Sequence, residues 1–301
     1  MSLGKKLRPV KHRIEYPLFV ALSILVRALP RTLALDLGRF LGGTILPRLR
    51  KVDRTAHHNI KNAFPDLSDK EARALLQENY RHIGINAIEM LRLSCLSRDA
   101  DELNKIFSFE GLENLHEAYG EGKGVLALTG HVGGWEMGTF FLPRLGFKTA
   151  FIAKAMRNPF IDKRITDLRE SNGGKVLMTR RGARRILKAL DEKYIVCVLP
   201  DQHASPNRAV VVDFFGKPAY TTPVITDMAM KKGVPIVPIF CYRNPDNTYR
   251  VVIQKAIHLE KSREKSDVIR NTAQLTAIIE DAILKEPSQW FWVHRRWRVP
   301  R

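Results

Sequence analysis

Between residues 124 and 285 the chain repeats one rhythm, a short apolar run followed by a stretch with apolar residues at helical spacing. The runs are GVLALT (124–129), KTAFIA (148–153), KVLM (175–178), YIVCVL (194–199), PIVPIFC (235–241) and RVVIQKA (250–256). Helix-like segments fall near 135–143, 159–171, 181–191, 223–232 and 267–285. Strands separated by helices of this length predict an α/β fold with a mixed, largely parallel sheet covered by helices on both faces. Ligands of such sheets bind beyond the carboxyl ends of the strands, where loops lead into helices. Two loops hold that position, the one in LALTGHVGGWEMG (126–138) and the one in VLPDQHA (198–204).

Ahead of the sheet, LSDKEARALLQENYRHIGINAIEMLRL (67–93) opens with Ser68 and Glu71 at capping-box spacing and continues as one long amphipathic helix. Further upstream, Lys5, Lys6, Arg8, Lys11 and Arg13 precede the apolar run LFVALSILV (18–26), which Arg27 and Pro30 interrupt. That run is roughly half the ~20 apolar residues a bilayer span takes, and no convincing cleavage site follows it. A second apolar stretch, 32–49, carries Asp36, Arg39 and the cluster Gly38, Gly42, Gly43, which permits close helix packing. The pair reads as an interfacial anchor with its basic residues on anionic headgroups. Two ordinary amphipathic helices on a soluble core, or one tilted span over about 16–37 burdened by Arg27, are the alternatives. The expected organisation is therefore an N-terminal membrane-associating unit at 1–50 and a larger domain at 51–301, with a helical lead-in over 51–105 and an α/β core over 106–301.

Lys and Arg number 50 against 31 Asp and Glu, a formal charge of +19, and such an excess predicts an anionic partner: nucleic acid, an anionic membrane surface, or acidic substrates and carriers. Cys95, Cys197 and Cys241 are far apart, lie in apolar contexts and show no CxxC spacing, as expected of reduced core residues facing the cytosol.

The loop at 126–138 carries an imidazole and, five residues on, a carboxylate. Positions five apart on a helix point about 140° away from each other. His131 and Glu136 can meet only if Gly133 and Gly134 bend the chain, leaving Glu136 in the first helical turn, where it would accept from the imidazole and set its tautomer. No GxSxG elbow and no HExxH motif is present. A base without its own nucleophile suits a hydroxyl supplied by substrate, with backbone N–H groups at the glycine turn helping to hold an oxyanion.

GHVGGWEMG (130–138) resembles the HxxxxD/E block of glycerolipid acyltransferases, and the tryptophan before its glutamate is similar to the late acyltransferases of lipid A biosynthesis. RNPFID (157–162), LPDQ (199–202), FFGKPAYTTP (214–223), GVPIVPIF (233–240) and PSQWFWVHRRW (287–297) follow in that family's order, and the resemblance runs from about residue 10 to the end. It implies a glycerol-3-phosphate acyltransferase-like fold, with His131 as general base and Glu136 as its partner. Arg157, Asn158, Asp162 and Arg164 fall in the block on the acceptor side, and Asp201 and Gln202, expected to contact substrate, in the block after YIVCVL, the fourth run. The implied reaction moves a fatty acyl group from an acyl thioester, acyl carrier protein before coenzyme A, to a hydroxyl of an anionic glycolipid such as a lipid A precursor. It needs no metal or organic cofactor and takes place at the cytoplasmic face of the bacterial inner membrane. Many of these enzymes carry a fuller RPN element where this chain reads AMRNP, so phosphatidylinositol mannoside or lysophospholipid acceptors stay open.

A basic face expected from Arg181, Arg184, Arg185 and Lys188 is either solvated or suited to acyl carrier protein or glycolipid phosphates. The C-terminal QWFWVHRRWRVPR (289–301) interleaves tryptophan with arginine, a composition for a membrane interface, for RNA, or for packing onto the core. A non-catalytic basic protein binding nucleic acid or membrane is the competing class, although no recognised nucleic-acid module is present.

Overall fold

The computed structural model describes residues 8–96, 100–179, 182–262 and 264–298. Lys5, Lys6, Arg180 and Arg181 of the two basic segments lie outside the described residues. The chain runs α1 (Arg8–Ala28), α2 (Arg31–Ile45), α3 (Arg50–Ala63), α4 (Asp69–Arg92), α5 (Ala100–Ile106), β1 (Phe107–Glu110), α6 (Leu112–Gly120), β2 (Val125–Leu128), α7 (Gly138–Arg144), β3 (Thr149–Ala153) and α8 (Pro159–Glu170). It continues through β4 (Lys175–Met178), α9 (Gly182–Asp191), β5 (Ile195–Val198), β6 (Val210–Phe214), β7 (Lys217–Thr221), α10 (Val224–Lys232), β8 (Ile236–Arg243), β9 (Tyr249–Ile253) and α11 (Lys265–Lys285).

Seven strands form one sheet in the order β1-β9-β8-β2-β5-β3-β4, parallel throughout except for the β8–β9 pair. Alternate residues of the central strands supply two cores. Leu126, Leu128, Val196 and Val198 join the one covered by α9, α10 and α11, whereas Val125, Ala127, Ile195 and Cys197 join the one covered by α6 and α7. Burial on both faces explains why these strands read as continuous apolar runs. After β4 the chain returns to place β5 beside β2 and then crosses to put β8 on the other side of β2. The carboxyl end of β2 therefore sits where the winding reverses, the usual place for a ligand crevice.

The six expected strands and five expected helices all form. Missed were the four-residue β1 at the sheet edge and the β6–β7 hairpin, an antiparallel pair outside the main sheet. The Ser68–Glu71 capping box is present and starts α4. Cys197 and Cys241 are buried as expected; Cys95 is exposed.

The N-terminal helices are separate elements broken at Pro30, and no described helix is long and apolar enough to cross a membrane. α2 lies directly on α4 through glycine contacts that leave no room for a side chain. A Cβ on Gly42 would stand 2.1 Å from the Tyr80 carbonyl oxygen, and one on Gly84 2.0 Å from that of Gly38. On the outer side, Ile14, Leu18, Leu22, Ile24 and Leu25 of α1 and Leu33, Phe40 and Ile45 of α2 are exposed. The apolar surface continues onto Phe160 at the start of α8, whose ring lies 5.6 Å from that of Tyr16, and onto neighbouring Met156.

Candidate active site

Residues 129–138 leave β2 and turn sharply. Gly133 has a φ of 59°, and a three-residue helical turn, Trp135–Met137, leads into α7. The bend expected at the glycines is present, and Glu136 lands in the first helical turn, but its carboxylate does not meet the imidazole. It forms a two-pronged ion pair with Arg169 of α8, Nε to Oε2 at 2.9 Å and Nη2 to Oε1 at 2.5 Å.

The partner of His131 is Asp201. Imidazole Nδ1 is 2.8 Å from Asp201 Oδ1, and the His131 N–H donates to Oδ2 at 2.9 Å. The Trp290 indole N–H donates to the same Oδ2 at 2.8 Å. Strand register explains the pairing. Leu128 of β2 lies opposite Val198 of the parallel neighbour β5, and the two functional residues each stand three positions beyond that pair.

Asp201 is 2 % exposed. Burial by itself pushes its carboxyl up, but the imidazole charge, the hydrogen bonds from the His131 ring and N–H, and the Trp290 indole outweigh burial and bring it down to about 2. An ionised carboxylate only accepts, so the proton between the two residues belongs to Nδ1, and in the uncharged imidazole Nε2 carries the free lone pair. Among the described residues no protein group is hydrogen-bonded to Nε2.

The turn is fastened by the C-terminal segment. Gly133 N–H donates to the Gln289 carbonyl, Phe291 N–H to that of His131, and Gly134 N–H to that of Cys241. The amides of Gly133 and Gly134 are thus spent on structure and do not form the oxyanion cradle expected of them. Trp135 and Glu136 open the helical turn, so their N–H groups have no intrahelical acceptor.

His131 lies on the wall of a cavity of about 1490 Å³ that wraps around the carboxyl ends of β2, β3 and β5. Beneath α7 its wall is apolar, with Ala127, Phe141, Leu142, Phe151, Cys197 and Ile239. On the opposite face, Gln202, Asn207, Arg208, Arg184 and Asp227 make a polar wall, and Lys154 and Met156 line the cavity as well. Glu136, Arg169 and Gln202 are lining residues; Arg157, Asn158, Asp162 and Arg164 are not. Asn158 is buried as the N-cap of α8, accepting from the N–H groups of Phe160 and Ile161 and donating to His12 O and Glu15. Asp162 accepts from the Met156 N–H, and Arg157 is exposed. Of this stretch only the neighbouring Lys154 and Met156 reach the cavity. Within the block, the Asn158 and Asp162 side chains are used at the start of α8.

The C-terminal tryptophans belong to the core. Trp290 and Trp292 are 1 % and 0 % exposed, and Asn79 of α4 and Asn59 of α3 donate to their main-chain carbonyls. Arg296 is buried against Phe214, donating to Tyr220 O and Thr221 Oγ1; burial pulls it down to about 10. These residues are unavailable to a membrane interface or to RNA. On α9, Arg184, Arg185 and Lys188 form the expected exposed basic face. Among the described residues no group of three His, Cys, Asp or Glu side chains could hold a metal ion.

Asp201 was expected to contact substrate, and Arg169 was not among the expected site residues. The signal for Asp201 was present: LALTGH and VCVLPD both place a chemically active residue three positions past an apolar strand of similar length. For the Arg169–Glu136 pair, 33 residues apart, no sequence signal existed.

A carboxylate-held imidazole with a free Nε2, set on the wall of a large and partly apolar cavity, is the layout of an enzyme that transfers a group to or from a lipid-like molecule. Residues 4–299 match the model of the bacterial lipid A biosynthesis acyltransferases, and the chain belongs to that family and is an acyltransferase. It is 25% identical over 280 residues to the lipid A biosynthesis lauroyltransferase of Escherichia coli K12, covering 91% of this chain and 88% of that one. The palmitoleoyltransferase of the same organism is 25% identical over 279 residues, 90% and 87% of the two chains. Its myristoyltransferase is 25% identical over 262 residues, 85% and 77%.

Proposed function

We propose that this acyltransferase moves a fatty acyl group from acyl carrier protein to a hydroxyl of an anionic glycolipid of the lipid A precursor class, with His131 as general base and without a metal or organic cofactor. The observation that carries the mechanism is the Asp201–His131 couple, which leaves Nε2 free on the cavity wall. Nε2 takes the proton of the acceptor hydroxyl as its oxygen attacks the thioester carbonyl. The N–H groups of Trp135 and Glu136 are the donors available to the oxyanion. Collapse of the tetrahedral intermediate breaks the C–S bond, the imidazolium returns the proton to the departing thiolate, and an ester and a thiol result. Asp201 stays ionised throughout and stabilises the imidazolium.

The cavity supports the division of substrates. Its apolar wall beneath α7 suits the acyl chain, and the wall with Arg184 and Arg208 suits phosphate-bearing headgroups. Arg184 and Lys154 reach the cavity from the basic side of the molecule, and with Arg185 and Lys188 they suit an acidic carrier delivering its thioester there. The exposed apolar face of α1 and α2, flanked by exposed Lys11, Arg13, Arg27, Arg48 and Arg50, suits docking onto an anionic bilayer at the cytoplasmic face of the inner membrane.

The test incubates purified protein with acyl carrier protein and coenzyme A thioesters, each against a lipid A precursor, a phosphatidylinositol mannoside and a lysophospholipid, with products identified by mass. The expected product is the acylated lipid A precursor, formed faster from the carrier thioester. His131→Ala should fold, bind vesicles and transfer nothing. Full transfer by that variant, or a product only with another acceptor, would overturn the reading.

A further inference from the structure

The turn that carries His131 is pinned two residues further on, at Gly133, by groups that do not line the cavity. The Gly133 N–H donates to Gln289 O at 2.9 Å, and its carbonyl accepts from Asn86 Nδ2 at 2.6 Å. A Cβ on this glycine would stand 2.1 Å from the Cys241 carbonyl oxygen, so the backbone is closed in on that side too.

Both holders are gripped by one residue, Arg243, at the end of β8. Its Nη2 donates to Asn86 Oδ1 at 2.8 Å. Its main chain brackets the Gln289 amide, the N–H donating to Oε1 and the carbonyl accepting from Nε2, each at 2.9 Å. The guanidinium is only 2 % exposed and lies over the Tyr249 ring. Glu89 Oε2 balances its charge at 2.5 Å, and the other Glu89 oxygen accepts from Arg31 Nη2 at 2.7 Å, in the first turn of α2. A buried charged network is a costly way to hold a core together, since apolar side chains of equal volume serve as well or better. Its advantage is geometric: Arg243 Nη2 is held between Asn86 and Glu89, while Nε and Nη1 are buried with no hydrogen-bond partner among the described residues. Here the two arms of the network converge on the two peptides that flank Gly133, two residues from the catalytic imidazole.

We infer that Asn86 and Arg243 are positioning residues for acyl transfer. They lock Gly133, hold His131 in contact with Asp201, and make the setting of Nε2 depend on the seating of α2 through Glu89 and Arg31. The inference rests on His131 being the general base.

The experiment compares Asn86→Ala, Glu89→Gln and Arg31→Met with wild type and His131→Ala in the full-length protein. Kinetics are measured with acyl carrier protein thioester and lipid A precursor, and His131 Nδ1–H is followed by NMR of protein carrying ¹⁵N-histidine, assigned by its loss in His131→Ala. A misplacement of about 1 Å at a reacting group costs on the order of 100-fold in rate. Asn86→Ala is expected to lower kcat about 10- to 100-fold, leave KM for the thioester within about two-fold, and shift or broaden the Nδ1–H signal. Glu89→Gln and Arg31→Met, which touch the network further from the turn, should do the same more weakly, and they carry the test if Asn86→Ala does not fold. Wild-type kcat or an unmoved Nδ1–H signal in the folded variants, even with a lower melting temperature, would show a merely structural network and overturn the inference. Full activity of His131→Ala is a different result and would remove the general-base reading beneath it.

Discussion

His131 Nδ1 lies 2.8 Å from Asp201 Oδ1, and the second carboxylate oxygen accepts from both the His131 N–H and the Trp290 indole. An amide in place of this carboxylate cannot satisfy three donors with one oxygen. Asp201→Asn should therefore lower kcat by about 100-fold or more, the scale of general-base assistance, and destabilise the fold by about 1–3 kcal/mol for the donor left unpaired. Initial rates and a denaturant titration check both. A variant with near wild-type kcat would show that the carboxylate does not orient the base.

The same couple fixes a pH dependence. Asp201 titrates at about 2 in the folded protein against an ordinary 3.8, a lowered value. A carboxyl lowered by folding contributes stability that is complete above its unfolded value and is lost as pH falls through its folded value. The stability that Asp201 draws from its own lowered value should accordingly be complete above about pH 4, so the gap between wild type and Asp201→Asn should narrow as pH falls from about 4 toward about 2. A gap that keeps its full size down to about pH 2 would contradict a carboxyl lowered by folding.

Glu136 and Arg169 form a pair whose side chains are 14 % and 21 % exposed, on the wall of the cavity. Removing one partner leaves the other charge facing a largely apolar space, whereas removing both leaves neither stranded. The double variant Glu136→Ala/Arg169→Ala should cost less stability than the two single variants added together, by about 0.5–3 kcal/mol, as coupled neighbours do. Melting of the four proteins of the cycle measures it. Strict additivity would mean that the pair is not formed in solution.

The sheet was legible because burial on both faces makes each central strand a short continuous apolar run, and amphipathic helices between them keep their own period. The β6–β7 hairpin and β1 escaped because VVVDF and FSFE are short and interrupted by polar residues. His131 was legible from an imidazole at the end of a strand. Its partner was not: Glu136 is the carboxylate near in sequence, whereas Asp201 is brought in by strand order, 70 residues away. The RNPFID block shows the converse. Its polar residues looked like site residues, yet Asn158 and Asp162 satisfy the backbone at the entrance to α8.

Gly42 and Gly84 make the contact between α2 and α4 a backbone-to-backbone one. Gly84→Ala would force a methyl group to within 2.0 Å of the Gly38 carbonyl oxygen and so push the helices apart. The expected cost is about 1–3 kcal/mol, the scale for overpacking a tight contact. Separation of α2 from α4 also pulls Arg31 away from Glu89, so kcat should fall with the melting temperature. Gly43→Ala, where the nearest neighbour is the movable Gln77 amide at 3.1 Å, should be far milder in both readouts. Equal effects of the two variants would contradict the close packing at Gly84.

The apolar wall beneath α7 owes its room to small side chains on the central strands. Cys197 of β5 lies opposite Ala127 of β2 on one side and Phe151 of β3 on the other, and all three line the cavity. Burial pushes the Cys197 thiol up to about 12, so at neutral pH it is an inert apolar group and its contribution is its size. Cys197→Phe should fill space beside Ala127 and shorten the acyl chain that fits. Each methylene denied burial costs about 0.8 kcal/mol, roughly four-fold in relative kcat/KM, so a loss of room for two carbons moves preference by about 15-fold toward shorter thioesters. Competition between acyl carrier protein thioesters of different length, with products weighed by mass spectrometry, reads this directly, and a melting curve confirms that the variant is folded. An unchanged chain-length profile in a folded Cys197→Phe protein would place the acyl chain elsewhere in the cavity.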